Sequence, residues 1–259
     1  MNHPSSQEGS GEFSIWPDST GSPQPPALRP SSDAGQHIIA LQRAKHKSTE
    51  NSLRLILQQL QTKHKRCIRR LARTYCNLSI SLRYQGRLAE AESHQCRSLA
   101  YRLRELGEHH HETIFSMSNL SVLLHRQQKT HLAKVFAERA FQGYQRIYGR
   151  NHWRSLAALH NLAMVYASIG ELDYANSLMM VALLRNQLTM RDRRGYVRVL
   201  ASMICVAWIQ HRRGSYQHAV QLYGRVSLLL EKIAPPDSPL KVVCQKLASA
   251  AERGMKIDI

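Results

Sequence analysis

The densest cluster of chemically capable side chains in this chain is His109-His110-His111-Glu112. Imidazoles and a carboxylate can ligate zinc, but such a site needs further ligands brought in by the fold. His94 and Cys96 form a second pair, two residues apart. On a helix that spacing sends the side chains to different faces, and no third group stands nearby to activate the thiol. The sequence holds no phosphate-cradling glycine loop, no GxSxG elbow and no HExxH pair. Its 18 Asp and Glu are too scattered for a paired-carboxylate site. Catalytic residues, metal ligands and cofactors are therefore not expected, and the chain reads as a non-enzyme.

Three asparagines offer a different chemistry. Asn77, Asn119 and Asn161 each open an Asn-Leu-Ser or Asn-Leu-Ala tripeptide, and each is 42 residues from the next. A carboxamide has one acceptor and two donors, so it can pair with both the N–H and the C=O of an extended peptide. Residues three and four apart share a helix face. Around the asparagines this groups Arg73, Asn77, Ile80 and Tyr84, then Asn119, Val122 and Arg126, then Asn161, Met164 and Ser168. Such a wall of arginine, apolar side chains and carboxamides suits a short acidic segment with an apolar anchor, since arginine can clamp carboxylates bidentately. The alternative is that the asparagines bond neighbouring helices and serve stacking.

The elements that position these residues follow from the repeat itself. Ala91, Ala133 and Ala175 keep the 42-residue step, as do Ser98, Ala140 and Ala182, and His110 matches His152. Gly86 and Gly170 mark turns, with Gln128 between them in register. A fourth copy, slipped by two residues, places Gly214 after Gly170 and Cys205 at the asparagine position. Each unit predicts a helical hairpin whose small residues meet across the pair. Hairpins of this size cannot bury their apolar faces alone, so they must stack. His110 and His152 are then expected to cap the next helix or to pack between hairpins.

These residues resemble tetratricopeptide repeats of the kinesin-light-chain type, in which N-L-[AS] precedes a turn glycine and an alanine, followed by a loop like Leu106-Gly107-Glu108-His109-His110. The resemblance implies an all-α, right-handed α-solenoid in which the asparagine face lines the concave wall. It covers about residues 70–240 and does not extend to a motor-binding coiled coil, because residues 37–70 are too short for one. The expected organisation is a Ser/Pro-rich disordered tail over 1–36, with Phe13, Ile15 and Trp16 as its small apolar cluster. A basic helical cap follows over 37–70, one long helix or two joined near Lys63–Arg70. Four repeats then occupy 71–112, 113–154, 155–198 and 199–236, and a capping helix closes the stack over 237–259.

Composition bounds the partners. Net charge is +18, from 36 Lys and Arg against 18 Asp and Glu. That surplus concerns partners and solubility, not fold. Five cysteines without a CxxC pair fit reduced thiols, a polar N-terminus lacks a signal peptide, and no apolar run reaches a membrane span of roughly 20 residues. The expectation is a cytoplasmic, non-catalytic adaptor that binds another protein's segment. The alternative is a nuclear or nucleic-acid-associated protein using the Lys63–Arg70 patch, although aromatic residues suited to base stacking are missing there.

Overall fold

The computed structural model describes residues 33–61, 68–231 and 239–254. Ten helices make up those residues: α1 (Asp33–Gln61), α2 (Ile68–Tyr84), α3 (Leu88–Leu106), α4 (His111–Arg126), α5 (Thr130–Tyr148), α6 (Trp153–Ile169), α7 (Leu172–Thr189), α8 (Arg193–Arg212), α9 (Tyr216–Glu231) and α10 (Pro239–Glu252). Hairpins α2–α3, α4–α5, α6–α7 and α8–α9 stack in chain order into an α-solenoid. Among the first helices α2 also touches α4 and α4 touches α6, which places them on the inner side of the stack, while the second helices lie outside.

The hairpins close on side chains with little volume. Ser79, Ser121 and Ala163 of the first helices, and Ala91, Ala133 and Ala175 of the second, are all no more than 1% exposed. Backbones can approach there because nothing larger than a methyl or hydroxymethyl stands between them. Around these contacts the core is continuous in character: Leu78, Leu120 and Leu162 are buried, and Tyr144, Met179 and Tyr223 fill the spaces between units.

Four turns share one bond pattern. Gly86 N–H donates to Arg83 C=O and Arg87 N–H to Leu82 C=O, and the equivalents close the turns at Gln128, Gly170 and Gly214. All four central residues have positive φ, at 82°, 60°, 99° and 79°. Gln128 is the non-glycine among them, and its Cβ pays a steric penalty in the left-handed region. Replacing Gln128 by Gly should stabilise the fold by about 0.5–1 kcal/mol, net of the entropy glycine loses. Scanning calorimetry should show a rise of a few degrees in Tm; a fall would contradict the assignment.

His110 and His152 cap the following helices. The Nδ1 of each accepts the backbone N–H two residues on, from Glu112 and Arg154 respectively, at 3.2 Å. In the fourth unit α8 starts at Arg193, capped by Asp192, whose Oδ1 accepts from Gly195 N–H at 2.7 Å. The stretch 37–85 holds two helices, ending at Gln61 and beginning at Ile68, and α1 starts at Asp33, inside the segment expected to be tail. Phe13, Ile15 and Trp16, and Lys63 to Cys67, lie outside the described residues.

α1 has a role the 42-residue tripeptide does not announce. Glu50 lies 42 residues before Glu92, and each takes the basic residue of the following turn: Arg87 Nη1 reaches Glu50 at 2.9 Å, Lys129 Nζ reaches Glu92 at 2.7 Å. Burial pushes the Glu50 carboxyl up, but hydrogen bonds from Arg54, Gln85 and Arg87 outweigh this and hold it below its ordinary value. Buried Leu57 and Leu60 likewise stand where Leu99 and Arg102 stand on α3. The second half of α1 thus stands as a second helix, with no first helix before it among the described residues.

Candidate partner-binding face

The asparagine ladder is uneven. Asn119 and Asn161 are each 3% exposed, whereas Asn77 is exposed. The amide of Asn119 donates to Cys76 Sγ at 3.6 Å, and that of Asn161 to Ser118 Oγ at 3.5 Å. The fourth rung keeps the geometry and changes the chemistry, with Cys205 Sγ 3.0 Å from His160 Nε2. Each rung joins one first helix to the next, so two of the three carboxamides turn toward their neighbours. The Oδ1 of Asn119 is buried without a hydrogen-bond partner.

The other wall residues divide in the same manner. Arg73 and Arg126 are exposed, Ile80, Tyr84 and Ser168 are half-buried, and Val122 and Met164 are buried beneath the rungs. Ser168 spends its hydroxyl on Val165 C=O at 2.7 Å. Tyr84 lies under α1, its ring stacked on His46 with centroids 4.4 Å apart. Beside it is a residue that sequence reasoning passed over: Arg83, only 7% exposed, with its guanidinium 5.0 Å from the Tyr84 ring. Desolvation, then the charge of Arg83, hold the Arg126 pKa below its ordinary value. Neither arginine has a carboxylate partner among the described residues.

That local imbalance extends along the inner layer. The first helices α2, α4, α6 and α8 together contain ten arginines and one carboxylate, Glu112. The second helices α3, α5, α7 and α9 carry eight Lys and Arg against six Asp and Glu. The positive surplus of the folded units therefore sits on the inner, first-helix layer. The periodicity of the sequence contained this asymmetry, but it becomes visible once residues are sorted by layer instead of by position.

The outer layer has one feature of its own. On α7, Met180, Leu184 and Leu188 are 47%, 58% and 76% exposed. In register they replace Cys96, Ala100 and Arg104 of α3, and Glu138, Gln142 and Arg146 of α5. Among the described residues no group of three or more His, Cys, Asp or Glu is placed to hold a metal ion, and no helix is long and apolar enough to cross a membrane.

Residues 70–144 match a family model for the tetratricopeptide repeat. The structure is similar to that of BtubC (BKLC) from P. vanneervenii, with a TM-score of 0.62 and 18% identity, covering 87% of this chain and 84% of that one. It is also similar to a Podosopora anserina protein with nearly identical TPR-like repeats, assigned as a kinesin light chain. There the TM-score is 0.61 and the identity 21%, over 74% of this chain and 89% of the other. At these identities the likeness is one of fold. No curated protein matches the chain significantly by sequence.

Proposed function

We propose that this tetratricopeptide-repeat solenoid is a non-catalytic scaffold that holds an acidic segment of another protein against its inner face. The observation that carries the reading is the ten-to-one excess of arginine over carboxylate on the first helices. The guanidiniums of Arg83 and Arg126 repel one another where partly desolvated, and a partner's carboxylates relieve that cost while gaining charge-assisted hydrogen bonds. Arg73 and Arg126 are the accessible clamps, Asn77 the accessible carboxamide, and Ile80 and Tyr84 the apolar ground for an anchor. Ser168 extends the face to the third unit. Asn119, Asn161, Val122 and Met164 hold the rungs at the spacing that keeps the face continuous.

The test uses a fluorescein-labelled peptide of alternating Glu and Leu, twelve residues or so, with a Lys–Leu counterpart as control. The full chain should bind the acidic peptide and not the basic one, and the doubly reversed variant Arg73→Glu/Arg126→Glu should bind it at least tenfold more weakly, a loss of about 1.4 kcal/mol. Both positions are solvent-accessible, so helicity by circular dichroism should be unchanged. Equal binding of the two peptides, or an indifferent variant, would sink the proposal.

A further inference from the structure

Among the described residues the solenoid begins with half a unit, and the place of the other half leaves a face of defined chemistry. On α4 and α6 the stripe through the asparagine is covered by the first helix of the preceding unit: Asn119 and Val122 are 3% and 4% exposed, Asn161 and Met164 3% each. The rungs cross 43 residues, from Asn119 to Cys76 and from Asn161 to Ser118. The same step back from Asn77 arrives at Ala34, but Ala34 belongs to α1, a continuous helix that occupies the second-helix place. Asn77 is accordingly exposed and Ile80 half-exposed. The first helix that would cover them is absent from the described chain.

What fits this opening can be read from its charges and its rung. Arg69, Arg70 and Arg73 lie at three- and four-residue spacing with Asn77 and Ile80, so they share one stripe, and all three arginines are exposed. α2 contains four arginines and no carboxylate. In the completed rungs the asparagine amide donates to a small acceptor, a thiol in one case and a hydroxyl in the other. We infer that the open face of α2 receives an acidic amphipathic helix from a partner protein, which completes the first unit. Its carboxylates meet Arg69, Arg70 and Arg73, a Ser, Cys or similarly small acceptor meets Asn77, and an aliphatic side chain meets Ile80. A helix is required, because it alone repeats the spacing that α2 presents to α4. This rests on the inner-face reading and specifies the first rung of it.

The experiment uses the full chain and three probes: a lactam-stapled, sixteen-residue acidic helix with a central Ser, the same sequence unstapled with a central Pro, and the extended Glu–Leu peptide. The stapled helix should bind, the Pro-broken peptide at least tenfold more weakly, and Arg69→Glu and Asn77→Leu should each weaken the stapled helix about tenfold. Arg126→Glu should weaken the extended peptide and leave the stapled helix's affinity within about twofold, since Arg126 lies on α4, outside the open face of α2. If the extended peptide binds and the stapled helix does not, or if the Pro-broken peptide binds equally, the helix proposal is overturned and the groove reading stands. If neither binds, both fail. Two further outcomes would overturn it: light scattering that shows a dimer abolished by Arg69→Glu, which gives the place to a second copy, or a tenfold gain in stapled-helix affinity on deleting residues 1–32, which gives it to the chain's own tail.

Discussion

Lowering the pH from 7 to 5 should cost the fold about 2 kcal/mol through one histidine, His160. Burial depresses its pKa from the ordinary 6.5 to about 4, and burial likewise raises the thiol of its neighbour Cys205 to about 12, so both groups are neutral in the folded protein at pH 7. The sign follows from proton counting. Unfolded His160 takes up a proton near pH 6.5, folded His160 does so only near pH 4, so the unfolded state binds more protons between those values. Stability from this group is fully present above pH 6.5 and is lost as the pH falls toward 4. His94, His125 and His152 are shifted in the same direction, desolvation being the first cause of each, and they steepen the profile. Urea unfolding at pH 7 and pH 5 should show the loss, and His160→Asn should be less stable at pH 7 yet lose about 2 kcal/mol less between the two pH values. Parallel wild-type and variant profiles would mean that His160 titrates as if exposed.

The second large effect is structural. Leu120 is 3% exposed and belongs to the cluster that joins the second and third units through Met117, Tyr144, Ala158 and Leu162. Truncation to alanine removes buried methyl groups and leaves a space that the tightly apposed hairpins cannot close. The expected cost is about 3 kcal/mol, within the usual 2–5 for a buried leucine. In a stack whose units contact only their neighbours, damage to a central unit also weakens the coupling between the two ends. Calorimetry on Leu120→Ala should therefore show a lower and broader transition. Leu132→Ala, at a site 54% exposed, should move Tm by little. Equal effects from the two substitutions would contradict the packing described.

The contrast between these sites shows what the sequence could convey. Tripeptide, turn glycine and alanine at a 42-residue step specify the hairpins because each position has a local, one-body reason: a small side chain where backbones meet, a residue tolerant of positive φ at the turn, a capping imidazole before a helix. The direction of Asn119 and Asn161 has no such reason. A helical asparagine at that position can face a groove or a neighbouring helix, and the distance between adjacent first helices decides, which is a property of the stack. The place of α1 in the repeat register was hidden for a related cause. At the positions in register with Asn77 and Gly86 it carries Gly35 and Ala44, so the repeat signature disappears while Glu50 and Leu57 still pair and pack as their counterparts do. The arginine-rich inner layer was obscured by sorting residues along the chain, where charges of both layers interleave.

The claim at the centre of this account is that partners are held by the inner, first-helix face and that what they offer is acidic. Site-specific photocrosslinking in cells tests it most directly, with a benzophenone side chain placed singly at Ile80, at Ser168, and at Leu184 on the outer face of α7. The account predicts adducts from Ile80 and Ser168 whose crosslinked peptides are rich in Asp and Glu, and which vanish in the Arg73→Glu/Arg126→Glu background. Adducts confined to Leu184, or inner-face adducts on segments without acidic character, would contradict it.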